Sequence, residues 1–331
     1  MTLFLATLPA PSPTGDVLMA FLSILFEGAP YILVGTILSG FIDAFLPAGL
    51  LERALPKNKI LATLAAGFLG LFFPVCECAV VPVVRRLVQK GLPLSCAMTY
   101  LLSAPIINPI VAVSTLTAFK EFADITSLPA VLDASMTLAR LSLGYVVAVL
   151  VGLLMLRFRI TDILKPSIAA SVTAAAAARI DHPEGTTSAP FNDRLVHAMR
   201  TAMRDFLDTG MYFTIGVIIT SIFNTQVDQT QVAKFAASDW IAIPSMMSLA
   251  FVLSLCSTSD AFIAAPMESF SLAAKLAFLV FGPMMDVKLV FMYAAVFKRR
   301  VVISMLIGLF ILVGSLSIPW VTLMQKLAAL N

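Results

Sequence analysis

The chain has 331 residues, of which 60% are apolar and 12% charged, and its formal net charge is +3. Soluble domains carry roughly a quarter of their residues charged, so this sequence lacks a polar shell for its apolar surface, and lipid must solvate much of it. The small net charge gives no reason to expect nucleic acid or an acidic partner.

The N-terminal stretch Met1 to Pro13 has no Lys or Arg ahead of its apolar residues and runs into Pro9, Pro11 and Pro13. That is unlike a removable signal peptide, and the first span is expected to act as the targeting signal. A span needs about 20 apolar residues. Eight segments qualify, at 17–46, 59–83, 93–119, 136–157, 206–224, 240–263, 272–297 and 301–325, several of them interrupted by Pro. The predicted fold is an all-α polytopic transmembrane bundle of about eight spans. Residues 158–196 are rich in Ala, Ser, Thr and charge and contain His182-Pro183-Glu184-Gly185, which reads as a polar linker. It separates a first transmembrane repeat (1–157) from a second (197–331).

Three marks recur in the same order in the two parts. Glu27, Tyr31 and Gly35 are echoed by Asp208, Tyr212 and Gly216; Pro74-Val75-Cys76-Glu77-Cys78 by Cys256-Ser257-Thr258-Ser259-Asp260; and Ala104-Pro105-Ile106-Ile107-Asn108 by Gly282-Pro283-Met284-Met285-Asp286. This pattern predicts a four-plus-four duplication with broken helices. Orientation is contradictory at this level. Arg157, Arg159, Lys165, Arg194, Arg200 and Arg204 argue for a cytoplasmic linker. Four full spans on either side would then make both termini cytoplasmic, yet would leave Arg53, Lys57, Lys59 and Lys298 to Arg300 outside unless some segments are re-entrant. The relative direction of the repeats is left open.

A broken helix in lipid strands backbone groups, so it persists only where protein or a watery cavity satisfies them. The breaks are therefore the candidate substrate site. Cys76 and Cys78 would diverge in a regular helix but can converge on one soft ion where the backbone is extended. Glu77 is an acid in an otherwise uncharged run and suits a proton relay. Cys256, Ser257, Ser259 and Asp260 form the second polar interruption, and Cys256 meets the Cys76/Cys78 pair if the repeats pack about a pseudo-two-fold axis. Three sulfurs suit a trivalent centre and two a monosubstituted one. Asn108 and Asp286, beside Pro-centred breaks, can supply oxygens to substrate or coupling ion. Asp286 and Lys288 can equally form a local pair, Asn108 can serve only to satisfy a kink, and the cysteines can be simple packing residues. Cys96 has no counterpart and reads as packing. Glu27 and Asp208 fit either proton carriers or headgroup-level residues.

The run Pro74 to Pro82, with Gly91, Ser103 to Pro109 and Cys256 to Phe262, resembles the ArsP-like (YraQ-like) predicted permease family over nearly the whole chain. The resemblance implies a multi-pass inner-membrane permease of a bacterium, and in the arsenic branch efflux of trivalent organoarsenicals such as methylarsenite. No Gly-x-x-x-x-Gly-Lys-Ser/Thr signature is present, and no cofactor is called for. The leading expectation is a secondary permease exporting a small thiophilic or metalloid species, with proton exchange through Glu77 or Asp260 as its candidate coupling. Permeation of a transition metal or a sulfur-containing small anion is an alternative. A membrane thiol oxidoreductase is a third reading, against which a Cys-x-Cys disulfide would be strained.

Overall fold

The computed structural model describes residues 13–47, 55–73, 75–126, 131–166, 168–170, 172–173, 190–225 and 238–329. The N-terminal stretch up to Ser12, Arg53, Pro74 and the heart of the expected linker, 174–189, lie outside the described residues. Every described element is helical. In order these are α1 (Pro13–Phe45), α2 (Lys59–Ala66), α3 (Leu69–Phe72), α4 (Glu77–Gln89), α5 (Leu94–Ser103), α6 (Pro109–Thr126) and α7 (Val131–Met155). The short α8 (Ile160–Ile163) follows, then α9 (Phe191–Asn224), α10 (Asp239–Leu253), α11 (Asp260–Ala264), α12 (Leu272–Met284), α13 (Val287–Val296) and α14 (Arg299–Ala329). The end of the expected linker, 191–196, is therefore the first turns of α9. Five stretches are long and apolar enough to cross a bilayer: α1, α7, α9, α12 with α13, and α14. Large apolar side chains on them face outward, among them Phe26, Met203 and Ile311, as expected where the surrounding solvent is lipid.

Side-chain contacts fix the direction of each element. Helices α1 and α9 pack closely and antiparallel, with Gly28 against Phe213 near the middle, Gly40 against Ala198, and the Phe45 and Phe191 rings 5.7 Å apart at one end. Helix α4 runs alongside the second half of α1: Ala79 meets Gly35, Ser39 Oγ lies 3.3 Å from the Pro82 carbonyl oxygen, and Lys90 Nζ donates to the Asp43 carbonyl at 2.6 Å. Helix α2 begins at that same end, where Lys57, Lys59, Leu94, Met155 and Arg159 line one cavity. The segment 59–89 is thus a hairpin that enters the bundle, breaks at 73–76, and returns to the end it started from.

Segments α5 and α6 run end to end against antiparallel α7, as the approach of Thr99 to Gly152 and the Arg140–Thr115 bond require. The second part of the chain also holds a hairpin and an interrupted crossing. Helices α10 and α11 form the hairpin, α12 and α13 the interrupted crossing, and Val296 and Phe297 return to the linker end, where Lys165 N–H donates to the Val296 carbonyl. All eight expected segments are helical; six run the length of the bundle and two are hairpins.

This path resolves the charge conflict through re-entrant segments, the option the sequence leaves open. Lys57, Lys59, Arg86, Lys90, Arg159, Arg194 and Lys298 gather at one end, called here the basic end. The described termini, Pro13 and Ala329, lie at the opposite end, because one hairpin in each part removes a crossing. The two ends are also packed differently. At the basic end α4 packs on α1 and α13 on α9, whereas among the described residues no comparable packing joins α1 to α6 or α9 to α11.

The breaks are built locally. Asn108 Oδ1 accepts the Ile110 N–H at 3.0 Å and Pro109 opens α6, where its missing N–H costs nothing. Asp286 Oδ1 accepts the Leu289 N–H at 2.7 Å and caps α13. Helix α10 ends at Ser254, whose φ of 48° is left-handed, uncommon for a residue with a Cβ. Cysteines placed at Lys57 and Arg159, which line one cavity although four full spans would put them on opposite sides, should be labelled in a cysteine-free background by a membrane-impermeant maleimide from the same side of the membrane. Labelling from opposite sides would contradict the hairpin.

Candidate functional site

Cys76 is the N-cap of α4, with an extended backbone (φ −73°, ψ 170°), and Glu77 and Cys78 open the helix. This extended-to-helical step lets both thiols face one side of the break. With Cys256 from the α10–α11 break they line one small pocket, completed by Ile24, Glu27, Gly28, Tyr31, Glu77, Phe213 and Lys288. Its volume is about 10 Å³, room for about one water, so cargo enters only if the helices part. Among the described residues no three His, Cys, Asp or Glu side chains converge at metal-binding distance. The sulfurs share a pocket without forming a ready-made coordination site. On the basic side of α4 lies a separate cavity of about 210 Å³ lined by Pro82, Arg85, Asp205, Asp208 and Tyr212. A cavity of about 660 Å³ at the basic end has Cys96 in its wall and none of the other three sulfurs.

The thiol pocket is backed by a buried polar chain. Lys288 Nζ sits 3.4 Å from Glu77 Oε1 and 3.5 Å from Asp286 Oδ2, and donates to the Ser254 carbonyl at 2.8 Å. Ser257 Oγ donates to Glu77 Oε2 at 3.1 Å, while its carbonyl accepts from Arg140 Nη2 at 3.0 Å. Arg140 Nη2 also pairs with Asp260 Oδ2 at 2.7 Å, and Nη1 donates to Thr115 Oγ1. Ser259 Oγ donates to Glu27 Oε1 at 3.2 Å on the pocket rim. Thr258 Oγ1 donates to Cys256 Sγ at 3.5 Å.

Cys76, Glu77, Cys78 and Cys256 therefore line one pocket, and Ser257, Ser259, Asp260 and Asp286 belong to the polar network around it. Asn108 does not join them: its side chain caps its own helix, because the interrupted crossing places residue 108 beside α3, where the Ile107 carbonyl and Ala104 abut Gly70. Glu27 and Asp208 are not equivalent in place. Glu27 is on the rim, whereas Asp208 lies toward the basic end beside Arg85 at 3.9 Å. Lys288 makes more than a local pair, since it reaches across to Glu77. Arg140 is not among the residues expected from sequence; its signal is a lone guanidinium in the middle of an apolar helix, which in lipid must find a partner.

Two close approaches hold the breaks against the long helices. A Cβ on Gly35 would collide with Ala79, and one on Gly216 would sit 2.7 Å from the Lys288 Cα. Below the pocket, Arg86 grips Asp205 with two bonds, Nε to Oδ2 at 3.1 Å and Nη2 to Oδ1 at 2.9 Å, and Ser39 adds a third at 2.7 Å. This clasp ties α4 to α9 at the basic end.

The sequence profile of a family described as "Predicted permease" matches residues 14–318, and the chain belongs to that family. It is 37% identical over 302 residues to the UPF0718 protein YcgR of Bacillus subtilis (strain 168), covering 89% of this chain and 94% of the relative. It is 34% identical over 295 residues to a Streptococcus mutans protein named "Putative two-component membrane permease complex subunit", covering 89% and 91%. No solved structure matches. The family and the fold together define a multi-pass membrane permease.

Replacing Arg140 by Met should destabilise the protein by about 3–5 kcal/mol, because Asp260 is left buried and unpaired. Arg140→Met with Asp260→Leu should recover most of that loss, as read by denaturant unfolding in micelles. Equal loss in the single and double variants would show that the pair is not what the packing depends on.

Proposed function

We propose that the chain is a secondary permease of a bacterial inner membrane that exports a small thiophilic species, of which a trivalent organoarsenical such as methylarsenite is the best match. One observation carries this reading: thiols from two broken segments far apart in sequence line a single buried pocket where the two parts of the chain meet. A soft trivalent atom bonds thiol sulfur in preference to oxygen, and a monosubstituted one needs two such partners. The matching order of elements, run in opposite senses, supports an inverted repeat with the site at its interface, a common architecture of secondary transporters. On the positive-inside rule the basic end is cytoplasmic. The Arg86–Asp205 clasp and the packing of α4 and α13 then close the cytoplasmic side, and alternating access consists of exchanging that packing for its counterpart at the other end.

The transition-metal reading is weaker, since no three ligating side chains converge among the described residues. The name of the Streptococcus mutans relative adds a second membrane subunit as a partner to be tested by co-purification.

Expression in a metalloid-sensitive bacterium should confer resistance to methylarsenite more than to arsenite, copper or zinc. Cys76→Ser and Cys256→Ser should each abolish most of it while the protein remains in the membrane. Full protection by the double variant would sink the thiol-site reading; protection against copper or zinc alone would transfer it to a metal cargo.

A further inference from the structure

The buried core at the breaks holds three carboxyl groups and two cations. Glu77, Asp260 and Asp286 are 1%, 3% and 0% exposed, and Arg140 and Lys288 are 0% and 3%. Fully ionised, three carboxylates against two cations leave one negative charge deep in the bundle. The imbalance has a definite location. Arg140 and Asp260 match one to one at 2.7 Å, whereas Lys288 alone stands between Glu77 and Asp286. Asp286 Oδ2 lies within ion-pair range of Lys288 and yet accepts no hydrogen bond.

No other cation among the described residues faces this group. Helix α1 contributes Glu27 and Tyr31 at the rim, α4 contributes Cys76 and Cys78, and the α10–α11 break contributes Cys256. Helix α9 presents Phe213 and Gly216, and on α13 Tyr293 donates to the Met284 carbonyl. On α12, Lys275 is turned away and donates to the Ala265 carbonyl. The half-helix dipoles do not settle the account, because each break brings together the negative end of one half-helix and the positive end of the next.

We infer that the resting protein binds one proton on the Glu77–Lys288–Asp286 group, shared by its two carboxyls, and that this proton is the counter-ion exchanged during transport. A metal cation in its place would need several converging ligands, and among the described residues no three His, Cys, Asp or Glu side chains converge there. Glu77 lines the thiol pocket and Asp286 caps α13, so the proton sits between the cargo and a helix that closes the basic end. The role as counter-ion rests on the permease reading; the bound proton itself does not.

The infrared spectrum of the lipid-reconstituted, cargo-free protein at neutral pH tests it. The expected result is a protonated-carboxyl C=O band that shifts in deuterium oxide, persists in Glu27→Gln, and disappears in both Glu77→Gln and Asp286→Asn. Either of the latter variants leaves Lys288 with a single carboxylate, and agreement between them guards against one failing to fold. Absence of the band in the unmodified protein, or its survival in both variants, overturns the inference. Loss of the band on adding sodium or potassium chloride overturns it too, in favour of a bound cation. Because no cargo is present, failure here leaves the export reading standing, and a failed export assay leaves this result intact.

Discussion

A helix broken inside lipid leaves peptide groups with no water to satisfy them, and each costs several kcal/mol if nothing else does. The four breaks in this chain show how that demand organises the core. Lys288 donates to the Ser254 carbonyl, Arg140 to that of Ser257, Tyr100 to that of Phe73 and Tyr293 to that of Met284. Asn108 and Asp286 accept the free amides at the start of the second half-helix in each interrupted crossing. These cations and acids cannot be buried alone, so they pair, and the pairs run from one break to the next. The polar chain behind the thiols is the consequence of breaking helices at the middle of the bundle.

That chain couples the two parts mechanically. Glu77 belongs to the first hairpin, Ser257 and Asp260 to the second, Lys288 to the second interrupted crossing and Arg140 to a helix of the first part. A displacement of any one break disturbs partners on the others, and the pocket they enclose now holds about 10 Å³. Binding a cargo larger than water is thus inseparable from shifting the half-helices. Gly35 and Gly216 let Ala79 and the Lys288 backbone lie directly against the long helices.

Much of this is legible in the sequence for identifiable reasons. Apolar runs locate all eight helical segments, and Pro105, Pro109 and Pro283 mark where crossings are interrupted. The Cys76-Glu77-Cys78 and Cys256 to Asp260 runs stand out because polar residues in lipid need a reason. What the sequence cannot show is direction: a hairpin and a crossing have the same hydrophobicity, and contacts such as those of Lys90 with Asp43 and Ala79 with Gly35 tell them apart. The same ambiguity leaves the side of the termini open in the sequence. Asn108 caps its own helix, and the sequence alone leaves ligand and cap open because both roles use the same side-chain oxygen. Arg140 escapes a reading by motif because its partner, Asp260, is 120 residues away and contact between them is a property of the fold.

The central claim is that sulfurs from both hairpins meet on one soft atom. Arsenic X-ray absorption on the purified protein loaded with methylarsenite tests it most directly. The predicted result is a shell of sulfur neighbours that shrinks in Cys256→Ser as well as in Cys76→Ser or Cys78→Ser. An arsenic bound only by oxygen, or a sulfur shell unchanged by Cys256→Ser, would contradict it.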